Sequence, residues 1–161
     1  MQTPGDTTVH DLTEHFSFAE MTASNTAKQR GISNVPDGAA LYQLAKTAEM
    51  LERVRALLGV PITVTSAYRS PVLNKAVGGR TSSDHVKGMA ADIVAPKFGN
   101  AYAVASAIAP HVSTLGIGQL LLEGIKGKQW VHLSIDPVDN PVNRILTITD
   151  SGVKPGIVEL A

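Results

Sequence analysis

The stretch IGQLLLEGIKGKQWVHLSI, residues 117–135, places two apolar runs on either side of a short segment of glycine and lysine. This pattern is typical of a β-hairpin, and it predicts two neighbouring antiparallel strands. Alternate residues of a strand share a face. His132 therefore shares its face with Trp130 and Ser134, whereas the residues between them point into the core.

The length of the turn decides what lies opposite His132 on the partner strand. A two-residue turn at Gly127 and Lys128 would place Glu123 directly opposite His132. A four-residue turn would leave Glu123 diagonal to His132 on the same face, and a three-residue turn would break the relation. Glu123 is therefore a candidate functional carboxylate whose position depends on the turn.

The remaining periodicity predicts an α+β fold, in which helices pack on a small, mostly antiparallel sheet. Asp37 begins a long helix that Gly59 ends, and apolar residues at three- and four-residue spacing form its core face. They are Leu41, Leu44, Ala45, Ala48, Leu51, Val54, Leu57 and Leu58. Shorter helices are predicted after Ser17, after Ser24 or Asn25, over 71–77 and over 101–109. Strands are predicted over 62–66, which we expect to be buried, over 90–94 and over 144–149.

Composition limits the class of protein. The 161 residues are 43% hydrophobic and 17% charged, with a formal net charge of zero. This balance is that of a globular protein and gives no electrostatic reason to expect binding to nucleic acid. No apolar run reaches the length of a membrane span. We expect a loose N-terminal arm over residues 1–15 and a single domain over residues 16–161.

The N-terminus lacks the basic and apolar segments of a signal peptide. The sequence therefore predicts synthesis in the cytoplasm, so that any exit from the cell would use another route.

Metal-binding residues are few. The chain has no cysteine and five histidines, so that any metal must be bound by histidine or a carboxylate. His85 and Asp92 lie seven positions apart in SDHVKGMAAD, residues 83–92, and His132 supplies a third candidate ligand. His10 and His15 fall in the polar arm, and His111 follows a predicted helix, so these three are interpreted as structural or surface residues.

Three protein ligands with one open position are typical of a catalytic zinc ion. A zinc ion held by His85, Asp92 and His132 would lower the pKa of a water molecule, and Glu123 could accept its proton. Arg69 follows a predicted strand and is the candidate for stabilising a developing oxyanion. Ser83 could hydrogen-bond a substrate carboxylate.

The joint pattern Ser83-x-His85-x-x-Gly88-x-Ala90-x-Asp92 followed by Trp130-Val131-His132 resembles the zinc D-Ala-D-Ala metallopeptidases. This family is related to lysostaphin-type enzymes and the hedgehog signalling domain. The stretch PITVTSAYRSP, residues 61–71, is similar to the phage-associated branch, and the resemblance covers roughly residues 16–136.

The resemblance implies a fold of the hedgehog or D,D-peptidase kind, with one zinc ion. It also implies a substrate that is a peptidoglycan stem peptide or another peptide containing D-Ala, cut by a D,D-carboxypeptidase or an endolysin-type endopeptidase. Action on the cell wall would then follow phage- or holin-type release or incorporation into a virion. The family's zinc ligands correspond to His85, Asp92 and His132, and its transition-state arginine corresponds to Arg69. Ser83 corresponds to its substrate-contacting serine, and Trp130 is also expected to contact substrate.

One position departs from the family pattern. Better-known relatives carry an acidic base three residues before the last histidine, where this chain has Gln129, which cannot accept a proton. Either Glu123 supplies the base or catalysis is impaired. Two alternatives therefore stand beside the wall peptidase: a zinc-stabilised module that binds a cell wall or a protein, and a cytosolic dipeptidase acting on free D-Ala-D-Ala.

Overall fold

The computed structural model describes residues 11–135 and 144–161. Six helices and six strands occur there, and helices precede most of the strands. The helices are α1 (Phe18–Thr22), α2 (Asn25–Arg30), α3 (Gly38–Leu58), α4 (Pro71–Ala76), α5 (Ala101–Ile108) and α6 (Val112–Leu115). The strands are β1 (Thr63–Ser66), β2 (Ala90–Val94), β3 (Ile117–Ile125), β4 (Lys128–Ile135), β5 (Arg144–Thr149) and β6 (Gly152–Pro155).

The strands form one sheet in the order β1-β2-β4-β3-β5-β6. Every neighbouring pair is antiparallel except β3 and β5, which are parallel. The predicted α+β class with a mostly antiparallel sheet is therefore confirmed. Helices α3 and α5 pack against the sheet and enclose the core with it. We call the sheet face toward these helices the back face and the opposite face the front face.

Local capping chemistry fixes the helix ends. Asp37 accepts a hydrogen bond from the Ala40 backbone N–H at the start of α3, and Gly59 ends α3 in the left-handed conformation. Ser17 accepts from the backbone N–H of Glu20 at the start of α1. These caps confirm the predicted boundaries of both helices.

The predicted core face of α3 is only partly correct. Leu44, Ala48 and Leu51 are fully buried, but Leu41 and Leu57 are each 38% exposed. These two leucines lie at the margins of the buried stripe, where the sheet no longer covers the helix. Three- and four-residue spacing identifies the stripe but not its width.

Strand β1 corrects a second prediction. Residues 62–66 were expected to form a buried strand because they are β-branched, yet β1 is an edge strand whose residues alternate between exposed and half-buried. Two further elements, α6 and β6, were not predicted. Helix α6 follows a 3₁₀ turn at Ala109–His111, so that Pro110 does not end the helical region.

Part of the predicted N-terminal arm lies outside the described residues, including His10. The described part is held against α3, because the Thr13 hydroxyl and the His15 backbone N–H both donate to Glu52 Oε1, over 2.8 Å and 2.7 Å. The division into an arm and a single domain stays a prediction. Among the described helices, none has the length and apolarity that crossing a membrane requires.

Candidate metal centre

Asp92 and His132 meet because they lie opposite each other in the sheet. Strand β2 pairs with β4 so that Asp92 is the direct partner of His132. The His132 Nδ1 atom lies 2.9 Å from Asp92 Oδ1. The cross-strand register thus joins two predicted ligands that are forty positions apart in the chain.

His85 comes from the loop before β2 and is fixed by the backbone. Its Nδ1 lies 2.6 Å from the Ala67 carbonyl oxygen, and its own carbonyl accepts from the Arg69 backbone N–H over 3.1 Å. Because a carbonyl can only accept, Nδ1 carries the proton and Nε2 keeps its lone pair. That Nε2 lies 3.4 Å from Asp92 Oδ2.

Ser134 orients the ring of His132, as the Ala67 carbonyl oxygen orients that of His85. Its hydroxyl lies 2.9 Å from His132 Nε2, on the side of the ring away from Asp92. A hydrogen bond from Nε2 to the Ser134 oxygen would leave Nδ1 to bind a metal, which would take the place of the proton that Nδ1 donates to Asp92 Oδ1. Partners of this kind orient the imidazoles of metal sites and raise their basicity.

Gly88 gives the loop its path. Its φ is +75°, and a Cβ built there would lie 2.3 Å from the Ala40 carbonyl oxygen in α3. The Gly88 carbonyl also accepts from the Thr47 hydroxyl over 2.7 Å. Only glycine therefore allows the loop to approach α3 closely enough to present His85.

The three side chains fit a zinc ion. One ring nitrogen of His85, one of His132 and one Asp92 oxygen all lie within 4.8 Å of one another, and His85 and His132 are 2% and 8% exposed. Ligand atoms around a tetrahedral zinc ion stand about 3.4 Å apart, given Zn–N and Zn–O distances near 2.0–2.2 Å. Two imidazoles and one carboxylate are the donor set of a catalytic site with an open position.

The negative charge of Asp92 is stabilised by the two histidines beside it. Burial alone would raise the pKa of Asp92, but the neighbouring His85 and His132 outweigh it and hold the pKa well below its ordinary value. Burial lowers the pKa of His132, and the hydrogen bond and charge of Asp92 overcome that effect and raise it. Asp92 is therefore an anionic ligand at neutral pH.

The structure determines the register of the hairpin, which the sequence left open. The turn consists of Lys126 and Gly127, which both have positive φ, rather than Gly127 and Lys128. Two positive φ values are the signature of the type I′ turn, which favours glycine at its second position. Glu123 consequently pairs with Trp130 and lies diagonal to His132 on the same face.

Glu123 lies on the front face in a half-buried position. Burial first, and then the charge of Asp92, raise the pKa of its carboxyl above the ordinary value. His132, Trp130 and Arg69 oppose this shift but do not overcome it. A raised pKa brings a carboxylate closer to the range in which it exchanges protons with a reacting group at neutral pH.

Gln129 lies on the back face. It is the direct partner of Gly124, and the pairing is regular from Leu120 to Ile125, so no bulge turns its side chain toward His132. Gln129 lines a separate cavity formed with the C-terminal residues. An acidic residue at this position would not reach the metal centre of this chain.

Arg69 lies beside the site with an unused donor. Its Nη2 lies 3.4 Å from the Ser83 hydroxyl, but its buried Nε has no hydrogen-bond partner among the described residues. Burial lowers the pKa of Arg69, while Asp92 and Glu123 act in the opposite direction. A guanidinium keeps its charge at neutral pH, so it can donate to an oxygen in the groove.

Asn34 holds Arg69 in place from both sides. Its Nδ2 donates to the carbonyl oxygen of Tyr68 over 3.0 Å and of Thr22 over 2.8 Å, and its Oδ1 accepts from the Ser70 backbone N–H over 2.7 Å. The backbone on either side of Arg69 is thus fixed to α1. Sequence reasoning missed this residue.

Trp130 completes the front face. Its indole N–H is buried without a hydrogen-bond partner among the described side chains and backbone groups. It lies close enough to Glu123 to lower the pKa of that carboxyl without completing a hydrogen bond. Trp130 and Arg69 thus both line the groove and each has a buried N–H without a partner among the described residues.

That groove has a volume of about 730 Å³ and contains all seven predicted site residues. These are the candidate ligands His85, Asp92 and His132 and the further residues Arg69, Ser83, Glu123 and Trp130. Of the other histidines in the described ranges, His15 bonds Glu52 and His111 lies in the 3₁₀ turn, and neither joins a metal-binding group.

Two residues that orient the site were missed for different reasons. The alternation of β4 already placed Ser134 on the face of His132, so strand periodicity alone could have identified it. Asn34 lies 35 positions before Arg69, and no local pattern connects the two. The first is recoverable from sequence, and the second requires the fold.

Comparison with known proteins agrees with this geometry. A family model described as Peptidase M15 matches residues 14–134, about three quarters of the chain, and this range contains every candidate site residue. A search of curated proteins found no significant match. The chain therefore belongs to the Peptidase M15 family and is a zinc metallopeptidase, with His85, Asp92 and His132 as the group that can bind the metal.

Proposed function

We propose that the chain hydrolyses an amide bond in peptidoglycan stem peptides, as a D,D-carboxypeptidase or an endopeptidase. The observation that carries this proposal is the shared front face: Glu123 lies one residue row from His132, and Arg69 lines the same groove. Family membership supports a peptide substrate. The resemblance of the motif supports cell-wall peptides.

Zinc would be held by His85, Asp92 and His132, and when bound it supplies a Lewis acid that polarises a carbonyl and lowers the pKa of a water molecule. We assign the proton transfers to Glu123. As water adds to the carbonyl carbon, Glu123 accepts one proton, and it returns that proton to the amine nitrogen as the C–N bond breaks. The products are a carboxylate and a free amine.

We assign stabilisation of the carbonyl oxygen to Arg69. A buried cation whose N–H lacks a partner stabilises negative charge that develops on that oxygen more than it stabilises the neutral substrate. Asn34 fixes the backbone around Arg69, so the guanidinium does not need to reorganise during the reaction.

Ser83 is suited to bind substrate by donating. Its oxygen already lies within reach of two donors, the His85 backbone N–H at 3.3 Å and Arg69 Nη2 at 3.4 Å. With its acceptor sites facing these groups, the hydroxyl hydrogen remains for a substrate carbonyl or carboxylate. Trp130 provides an aromatic surface and an indole N–H beside it.

The placement of Glu123 favours catalysis over the alternative of a module that only binds. Gln129, which raised that alternative, lies on the other face of the hairpin. Synthesis in the cytoplasm followed by release to the wall stays a prediction, which fractionation of producing cells would test.

The direct test is digestion of purified peptidoglycan by zinc-loaded protein, with mass spectrometry of the products. We expect release of D-Ala or of a cleaved cross-bridge, and a loss of kcat of about 10²–10³-fold in Arg69→Ala. Arg30→Ala, at an exposed arginine of α2 outside the groove, serves as the matched control. Cleavage of unrelated all-L peptides with no product from peptidoglycan would overturn the proposal.

A further inference from the structure

Strands β5 and β6 continue the front face beyond the catalytic hairpin. In the row that contains His132, the partner on β3 is Leu121 and the next partner on β5 is Leu146. In the neighbouring row, Glu123 is followed by Ile148 on β5 and then by Val153 on β6. The metal centre and these aliphatic residues therefore belong to one surface.

We call Leu146, Ile148 and Val153 the apolar wall. All three line the same groove as the metal-binding group, and Val153 is 60% exposed. The apolar wall lies outside the residues 14–134 that match the family, so it is a feature of this chain that the family match does not cover.

The other face of β5 is already occupied. The buried Thr147 hydroxyl donates to the Gly156 carbonyl oxygen over 2.8 Å and accepts from the Val158 backbone N–H over 2.9 Å. Leu160 packs close to Gly124 on that side. The C-terminal residues thus cover the back face, and among the described residues the apolar wall stays open to the groove.

We propose that the apolar wall is a substrate subsite for an aliphatic group, about three to four residues from the cleaved bond. The inference rests on the proposed function. Neighbouring strands are about 4.8 Å apart, so β5 lies about 10 Å and β6 about 14 Å from β4. An extended peptide advances about 3.3 Å per residue, which gives the stated separation.

The two ends of the groove differ in chemistry. Around His85 it is lined by Arg80, Ser83, Asp84 and Lys87, which suit polar groups. The apolar wall offers aliphatic carbon, and on β5 it is bordered by Arg144, which also lines the groove. This asymmetry selects one orientation of a peptide. A free dipeptide cannot reach from the metal centre to the apolar wall. The apolar wall therefore favours a longer cell-wall peptide over free D-Ala-D-Ala.

The test uses zinc-loaded protein and substrates that share one scissile bond. These are D-Ala-D-Ala itself, stem peptides lengthened on the amino side, and cross-linked peptides lengthened on the carboxyl side. We expect the double variant Ile148→Ser/Val153→Ser to lose about 10-fold in kcat/KM on one lengthened series and to keep its rate on the dipeptide. Val72→Ser, at a 64% exposed valine of α4, is the matched control.

Binding gives a second reading that does not depend on turnover. Titration of the Glu123→Gln protein with the same peptides should shift the methyl NMR signals of Ile148 and Val153 with the longer peptides only. Equal losses on short and long substrates, or unshifted methyl signals, would overturn the subsite. A dimer that dissociates in the double variant, with unchanged peptide kinetics, would assign the wall to a second copy of the chain.

If no peptide is cleaved but the methyl signals shift, the proposed function fails, and the apolar wall is a peptide-binding surface rather than a substrate subsite. If peptides are cleaved and the double variant behaves like the wild type, the subsite fails while the proposed function stands. The two proposals are thus separable in one set of measurements.

Discussion

The two faces of the β3–β4 hairpin place their polar residues in different surroundings. On the front face, Glu123, Trp130 and His132 line the groove that contains the metal-binding group. On the back face, Val131 and Leu133 are fully buried in the core, and Gln129 lies beside the C-terminal residues. Chemistry is confined to one face because the other must hold the helices.

This contrast shows how alternation selects a catalytic candidate. Gln129 is closer to His132 in sequence than Glu123 is, yet it lies on the other face. Glu123 is nine positions away and shares the face because the turn at Lys126 and Gly127 sets the register. Proximity along the chain is therefore the weaker guide in a strand.

The largest effects on activity and on stability are expected from His132 and Leu133, which are neighbours in the chain but lie on opposite faces. His132→Ala should abolish zinc binding and lower activity by at least about 10³-fold, since a three-ligand site loses one ligand. Leu133→Ala should lower the free energy of unfolding by about 2–5 kcal/mol through a core cavity, with zinc retained in the folded protein. Atomic absorption measures the zinc content of both variants, and urea unfolding measures their stability. Zinc retained by His132→Ala would contradict the ligand assignment.

A smaller effect is expected at Ser134, which supports the front face without touching the metal. Ser134→Ala removes the hydrogen bond to His132 Nε2 and should weaken zinc affinity about 10–100-fold. Competition with a chromogenic chelator measures that affinity, and Ser113→Ala, on α6, is the control. An unchanged affinity would show that Ser134 does not orient His132.

Asn34 extends the comparison to a residue outside the hairpin. Asn34→Ala frees the backbone around Arg69, so we expect kcat to fall about 10-fold while zinc content is kept. Asn34→Asp retains the acceptor for Ser70 but places a carboxylate oxygen against the carbonyl oxygens of Thr22 and Tyr68, so it should not recover the rate. A fall in stability with an unchanged kcat would limit Asn34 to a structural role.

The smallest effect is expected far from the front face, at Glu52. Burial raises the pKa of Glu52, but hydrogen bonds from His15 and Thr13 outweigh it and hold the pKa below its ordinary value. A depressed pKa gives stability that is present above the unfolded value near 4.5 and is lost as the pH falls through the folded value.

Glu52→Gln should therefore lower the free energy of unfolding by about 1 kcal/mol at pH 7. This cost should disappear at acid pH, and kcat should not change. Thermal unfolding at a series of pH values measures the difference. A cost that persists unchanged below the folded pKa would show that the hydrogen bonds do not depend on the charge of Glu52.

Local features of the fold were predictable, and long-range pairings were not. Asp37 and Gly59 mark the ends of α3 through capping rules that involve only neighbouring residues. The β-branched residues of β1 predicted a strand, but nothing local tells an edge strand from a central one. The parallel pairing of β5 with β3 depends on packing that no single segment contains.

The same division applies to the site. Spacing and residue type named His85, Asp92 and His132 only as candidate ligands, and the resemblance of the joint motif to a known family supported the assignment. The position of Glu123 could not be decided from sequence because it depends on which residues form the turn, and these are Lys126 and Gly127. Asn34 could not be predicted because its role exists only when α1, the 68–70 segment and the loop of His85 meet.

The most direct test of the account compares Glu123→Gln with Gln129→Glu in zinc-loaded protein. Glu123→Gln should lower kcat about 10²–10⁴-fold without loss of zinc, as expected for removal of a general base. Gln129→Glu should leave kcat within about twofold, because that side chain lies on the back face. An active Glu123→Gln protein, or a Gln129→Glu protein that gains rate tenfold or more, would contradict the assignment of the base to the front face.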